Sequence, residues 1–343
     1  MPNRDLVVIG ASAGGIEALQ RICAGLPRDF NAAVLVVTHT SNHAGGLLPR
    51  ILERAGPLPA SHPDNGEVIE RGHIYVACPD QHMIVEAGRI RNSRGPRENR
   101  HRPAIDPTFR SAALSYGRRV IGVVLTGLLD DGTAGLMVVH AHGGASVVQD
   151  PGTAMFPSMP QSALQRVPDA QVVSLDDMPA LLVSMVAEQL KGAVQPLPWR
   201  DRTETKEIRM AELDMAEVEN EMRNGKPSQF ACPECGGVLW EIDQSGLLRF
   251  RCRVGHAYTV RHLRAEQRQA VETALWSALR ALEENASLCN RMSQRARKNG
   301  QDGSANIFDE RASNAEKNSE TLRNFLVQVG TPDMDVDEAA ESI

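Results

Sequence analysis

The chain has 343 residues, 42% apolar and 23% charged, with a formal net charge of −6 and only 4% aromatic side chains. Length and apolar content suit two or three globular units whose cores are packed by Val, Leu, Ile, Ala and Met. The negative balance excludes a chain-wide nucleic-acid footprint, and no run of about 18 apolar residues is present to cross a membrane. The opening MPNRDLVVIG lacks the apolar region and cleavage site of a secretory signal, so a cytoplasmic location is expected.

In chain order, Leu6–Ile9, Ala33–Thr38, Val120–Leu125, Ala145–Gln149 and Gln171–Ser174 are short, nearly continuous runs of β-branched and aliphatic residues. That is the pattern of buried parallel strands. Helical patterns cover about 15–25, 44–54, 106–116, 132–141 and 176–190. The alternation predicts an α/β fold, a doubly wound and mainly parallel sheet. Residues 60–90 read differently: Ile74–Ala77 and Met83–Glu86 are expected as an antiparallel pair or sheet extension. The proline-containing stretch 192–205 reads as a linker and 207–223 as a short helix. A compact cysteine-rich unit follows at 229–258. Helical patterns over 260–298 and 305–328, broken at Asn299–Gly303, predict an antiparallel hairpin, and the acidic tail at 331–343 is expected to be disordered. The predicted divisions are thus 1–191, 192–228, 229–258, 259–330 and 331–343.

Gly10, Ser12 and Gly14 fit G-x-S-x-G between a strand and a helix, the context in which a serine serves as nucleophile. Amides at the helix start can face a developing oxyanion. A phosphate-binding turn and a plain structural turn fit the same glycines. Against phosphate, Ser12 stands where G-x-G-x-x-G has its second glycine, and the second predicted strand ends in Thr38-His39-Thr40 rather than an acid. Ligands of α/β sheets bind beyond the carboxyl ends of the strands, and His39 is the histidine best placed there. His43 is expected just past the strand. His62, His73, His82, His101, His140, His142 and His262 are expected on the surface or at caps. After Val120–Leu125, either Asp131 or Asp130 can orient the imidazole, and a helix cap is the plainer role for Asp131.

Taken together, Ser12-Ala13-Gly14-Gly15, the strand-end His39, Leu125-Thr126-Gly127 followed by Asp131-Gly132, Gly72-His73-Ile74-Tyr75-Val76-Ala77, Arg102-Pro103-Ala104-Ile105-Asp106 and Gly143-Gly144…Gln149-Asp150…Met159-Pro160 resemble bacterial chemotaxis protein-glutamate methylesterases over about residues 5–190. The resemblance implies a Rossmann-like catalytic domain with a Ser12, His39, Asp131 triad and no catalytic cofactor. It implies hydrolysis of γ-glutamyl methyl esters on the cytoplasmic helices of chemoreceptors, and a related glutamine deamidation. Ala13, Gly14 and Leu128 are the implied oxyanion and substrate positions. Ala13 stands where that family usually has threonine, and Leu128-Leu129 where it usually has Met-Gly. Members of the family usually carry a receiver domain before the catalytic unit; with a first strand near residue 5, none is expected here.

Arg89, Arg91, Arg94, Arg97, Arg100 and Arg102 fall within fourteen residues. They read either as a solvated loop or as a patch that steers an acidic receptor helix. Cys232-x₂-Cys235 and Cys252-x₃-His256, sixteen residues apart, have the spacing of a closed, structural Cys₃His zinc site. The zinc ribbon and hairpin are expected to dock chemosensory proteins or dimerise; if the module only docks, removing residues 200–343 should leave intrinsic activity. The rival readings are an esterase or deamidase acting outside chemotaxis, and an interaction scaffold with weak activity.

Overall fold

A computed structural model describes residues 3–39, 45–190, 225–244 and 246–329. His43, the expected linker and short helix within 192–223, and the expected tail lie outside these residues.

The principal sheet contains β1 (Leu6–Ala11), β2 (Ala33–Thr38), β3 (Ala60–Ser61), β5 (Ile74–Val76), β8 (Val120–Val124), β9 (Ala145–Gln149) and β10 (Gln171–Val173). Their order is β10-β9-β8-β1-β2-β5-β3, and every pair is parallel. β1, β2 and β8 are buried along their whole length, which explains their unbroken apolar sequences. Val7 and Ile9 enter one core and Leu6 and Val8 the other, as the two-residue period of a strand covered on both faces requires. On the first face lie α1 (Gly15–Gly25), α2 (Leu48–Ala55) and α6 (Met178–Ala187). On the second lie α3 (Ile105–Tyr116), α4 (Thr133–Ala141) and α5 (Ser158–Arg166). The chain lays β2, β3 and β5 on one side of β1, then crosses to place β8 on the other. The switch point therefore falls between β1 and β8, where a crevice opens beyond the strand ends.

Two sequence expectations are refined here. Of the two alternatives, Ile74–Val76 takes the extension: it lies parallel to β2 in the main sheet and is not half of an antiparallel pair. The second segment, β6 (His82–Glu86), pairs instead with β7 (Arg89–Ser93), and β4 (Glu67–Val68) completes a small antiparallel sheet. Ala87 (φ 48°) and Gly88 (φ 78°) form the tight turn of this hairpin, whose left-handed pair matches the strand twist. The arginine run thus begins as a strand rather than a loop. Ile90 is buried between exposed Arg89 and Arg91, and that alternation is overshadowed in the sequence by charge. Helix α5 was not expected at all.

The cysteine-rich segment folds as an antiparallel sheet of β11 (Lys226–Ala231), β12 (Val238–Gln244), β13 (Leu247–Cys252) and β14 (Ala257–Thr259). Its core is Cys232, Leu239, Phe250, Cys252, Tyr258 and Leu263. It belongs to the same compact unit as the catalytic-type sheet, Met1–Leu263; the second unit is Arg264–Ile343. The division falls inside α7 (Val260–Lys298), which is followed by α8 (Asp302–Val329). Within the second unit the two helices run antiparallel, joined by Arg297–Asp309, Asn290–Glu316 and Arg323–Glu283. Among the described residues no helix is long and apolar enough to cross a membrane.

Candidate active site

Ser12 follows β1 directly. Its N–H donates to the Thr126 carbonyl (3.0 Å), and its own carbonyl accepts from Gly15 (2.9 Å) as α1 begins. Gly14 holds φ 71° at that turn, a left-handed conformation that glycine adopts freely. Gly127, on the loop after β8, passes so close that a methyl group there would sit 2.8 Å from Ser12 Cβ and 2.1 Å from Met159 Sδ. The loop can approach the serine only because this residue has no side chain.

His39 stands at the end of β2 with Nδ1 3.1 Å from Ser12 Oγ. Its Nε2 lies 2.7 Å from Asp131 Oδ2. Asp131 is fully buried and also accepts from the Ile105 N–H (2.8 Å) and Asn99 Nδ2 (3.0 Å). Burial pushes its carboxyl upward, but the hydrogen bond and charge of His39, with the Ile105 amide and Asn99, hold it well below the usual carboxylate range. A buried carboxylate fixed by several donors keeps one ring N–H of His39 directed at it. The other ring nitrogen is then the acceptor facing the serine. Asp106 takes the opposite course: burial, then the Asp131 charge, raise its carboxyl well above the usual range.

Of the two aspartates that follow the strand, Asp131, the one implied by the resemblance, meets His39. Asp130 instead binds Thr259 Oγ1 (2.8 Å) and His262 Nδ1 (2.7 Å). The preceding Leu129 has φ 63°, unusual for a branched side chain. It occupies the place of the glycine usual in the resembling family. Its carbonyl accepts from Ser158 and Ser162 hydroxyls, which hold the loop in that conformation. Leu128 is 54% exposed at the rim. The Ala13 carbonyl accepts from Thr126 Oγ1 (3.0 Å), and a methyl on Gly14 would lie 3.2 Å from Met155 Sδ.

With serine, imidazole and carboxylate assembled at the switch point, comparison with known proteins is informative. The family model for CheB methylesterase matches residues 7–182. The chain belongs to the CheB methylesterase family. The crystal structure of the Thermotoga maritima CheB methylesterase catalytic domain superposes with a TM-score of 0.51 at 31% identity, over 53% of this chain and 98% of that one. A Leptospira interrogans protein named for protein-glutamate methylesterase and protein-glutamine glutaminase activity is 36% identical over 190 residues, 55% of this chain and 98% of its own. A Pyrococcus horikoshii protein of the same name is 34% identical over 196 residues, and this chain covers 53% of its length. The CheB match stops short of the ribbon.

Several residues at the CheB site had no chemical signal in the sequence. Asn99 bridges Asp131 and Asp106 through Nδ2 (3.0 and 3.1 Å). His101 lies flat on His39, ring centroids 3.5 Å apart and 6° from parallel. His82, His101 and His262 were expected on the surface or at caps. His82 and His262 are instead fully buried; His262 does sit in the first turn of α7, where its N–H reaches Thr259 Oγ1 (3.3 Å). Of the arginine run, Arg91 pairs with Glu86, Arg97 with Glu234 and Arg102 with Asp80, so these charges are partly neutralised within the fold.

Cys232, Cys235, Cys252 and His256 offer four ligand atoms, all within 4.8 Å of one another, that could hold a metal ion. Gly236 and Gly255 turn the two knuckles at φ 72° and 104°. Cys235 Sγ and Cys252 Sγ are 3.6 Å apart, and His256 Nδ1 lies 3.7 Å from Cys232 Sγ and 3.5 Å from Cys252 Sγ. Tetrahedral bonds of about 2.3 Å to sulfur and about 2.0 Å to nitrogen give edges of roughly 3.5–3.8 Å, the range in which these three separations fall. His256 Nε2 faces Glu234 (3.4 Å), the outer carboxylate that ligating histidines commonly have.

Proposed function

We propose that this chain hydrolyses γ-glutamyl methyl esters, and deamidates glutamines, on the cytoplasmic helices of chemoreceptors, with Ser12 as nucleophile, His39 as general base and acid, and Asp131 as orienter. The continuous contact Ser12 Oγ–His39–Asp131 at the carboxyl edge of a CheB-family sheet carries this reading. His39 Nδ1 takes the proton as Ser12 Oγ attacks the ester carbonyl. The oxyanion is met by backbone amides of Ala13, Gly14 and Leu128. The neighbouring amides of Ser12, Gly15 and Gly127 are already committed to Thr126, Ser12 and Phe156 carbonyls. Collapse expels methanol, which takes the proton from His39. Water, deprotonated by His39, then splits the acyl-enzyme to leave glutamate on the receptor and restore Ser12. With glutamine the same steps release ammonia.

Cys232, Cys235, Cys252 and His256 would hold zinc, whose role is to tie the two knuckles together. All four positions come from protein, so no open site is left for catalysis. A cytoplasmic location and contacts of the hairpin with other chemosensory proteins accompany this reading.

The test is methanol release from receptors methylated with a labelled methyl donor. Wild type should release it and Ser12→Ala should not, a loss of about 10⁴-fold or more for a triad nucleophile. Release that survives Ser12→Ala overturns the assignment.

A further inference from the structure

The ribbon reaches the catalytic residues by three routes. In the first, β14 runs beside the segment Arg97–Asn99. The Ala257 N–H donates to the Arg97 carbonyl (3.2 Å), and the Asn99 N–H donates to the Ala257 carbonyl (2.8 Å). The Asn99 side chain is then held at both ends. Its Oδ1 accepts from the Thr259 N–H (3.1 Å), and its Nδ2 donates to Asp131 Oδ1 (3.0 Å). One amide group therefore separates ribbon backbone from the carboxylate that orients His39.

The second route runs through Asp130, the chain neighbour of Asp131. Its Oδ1 receives the Thr259 hydroxyl (2.8 Å) and faces His262 Nδ1 (2.7 Å). Thr259 also caps α7, accepting the His262 N–H (3.3 Å). This capping geometry presents Asp130 to the positive end of a helix. The third route is aromatic. His262 meets His101 edge to face, centroids 6.3 Å apart at 85°, and His101 covers the face of His39. Thr259, His262 and Asn99 are all buried, so these bonds form where water does not compete for them.

We propose that Thr259, at the end of β14, and His262, in the first turn of α7, are positioning residues for the triad, so that the C-terminal segment is a working part of this esterase and not only a docking module. The proposal rests on reading Ser12, His39 and Asp131 as that triad. The physical requirement is orientation: a small misplacement of an orienting group far from the chemistry costs rate without changing substrate contacts. Without the Thr259 hydroxyl and the His262 ring, Asp130 loses both of these partners and His101 loses its edge contact, so the Asp130–Asp131 loop and the His39 ring lose lateral support, while the Thr259 N–H still holds Asn99.

The experiment uses the full chain as Thr259→Val, Thr259→Ser, His262→Ala and, as a control on the outer ribbon surface, Leu248→Ala. Three quantities are read with the urea midpoint: the rate of Ser12 labelling by a fluorophosphonate, kcat and KM on a peptide carrying a glutamate γ-methyl ester, and the low-field proton resonance of the His39–Asp131 hydrogen bond. Labelling rate and kcat should fall about five- to tenfold in Thr259→Val and His262→Ala, the effect of one buried hydrogen bond. KM should stay within about twofold, and the low-field resonance should shift or broaden. Thr259→Ser, which keeps the hydroxyl, should recover the rate, and Leu248→Ala should match wild type. Wild-type rates and an unmoved resonance in both Thr259→Val and His262→Ala overturn the proposal. If Ser12 is not labelled even in wild type, it is the triad reading that fails. The resonance still reports, in that case, whether the ribbon holds the His39–Asp131 bond.

Discussion

His101 lies flat against His39, and its effect there depends on its charge. Burial, followed by the His39 charge, pushes its imidazole down to about 3, so at neutral pH it is an uncharged plate against the His39 ring. His82 is lowered in the same direction, first by burial. Its Nδ1 accepts from the Ala104 N–H (3.2 Å) while Nε2 faces the Pro96 carbonyl (2.9 Å), a geometry that requires the neutral ring. An unfolded histidine protonates near about 6.5. Below that value the unfolded chain binds protons that the folded chain refuses, so stability is full above about 6.5 and declines toward about 3. The decline is at most about 1.4 kcal/mol per pH unit for each group. Asp131 and Glu98 are held low, so their contribution is lost only below their unfolded range near about 4. Asp106, held above its unfolded range, works in the opposite direction, so the His101 contribution is read by comparison: the urea midpoint should drop less between pH 7.5 and 5 in His101→Gln than in wild type, and equal changes contradict the assignment.

Among the elements, the segment around Glu98 ties helix α3 to the ribbon. Glu98 is fully buried and receives Arg110 Nη2 at both oxygens (2.8 and 2.7 Å), Arg249 Nη2 at 3.0 Å and Arg251 Nη2 at 3.8 Å. Burial pushes this carboxyl up, but Arg110, Arg251 and Arg249 hold it far below the usual range. Arg249 and Arg251 belong to β13, so the charge cluster joins ribbon to catalytic sheet. Glu98→Gln removes the carboxylate charge shared by three buried arginines, an uncompensated loss of roughly 3–5 kcal/mol. Urea unfolding followed by intrinsic fluorescence measures it, and a change below about 1 kcal/mol would show that the cluster does not anchor the ribbon. None of this was legible from the residues. The glutamate and its arginines are separated by up to 153 positions, and in sequence Arg89–Arg102 reads simply as positive charge.

At the scale of the molecule, ribbon and catalytic sheet form one compact unit, and the helices beyond residue 263 another. Zinc, the ribbon fold and the triad should then be linked. The protein should carry about one zinc per chain. Stripping it with a chelator, or Cys235→Ser, should expose the ribbon to protease and slow Ser12 labelling by about the factor seen for Thr259→Val. A metal-free protein with an intact, protease-resistant ribbon would refute the metal site. A module that only docks would leave intrinsic activity when removed; the bonds from Thr259 and His262 to Asp130 and from the Asn99 N–H to the Ala257 carbonyl predict a loss on removal, which the same labelling assay on a truncated chain measures.

The sequence by itself determined the parallel α/β sheet, because both-face burial writes an unbroken apolar run into β1, β2 and β8. It also determined Ser12 and His39 as strand-end residues, since in such a sheet function gathers where strands end, and the grouping of Cys232, Cys235, Cys252 and His256, whose spacing is local. The motif alone left Asp130 beside Asp131 and the resemblance implied Asp131; the tertiary structure supplies the reason, because adjacent residues on a loop diverge in direction according to what packs on each. The tertiary structure alone placed His101, Asn99 and His262 around the imidazole. Their roles arise from contacts across as many as 161 positions, His101 against His262, and a contact between distant segments leaves no periodicity in either of them.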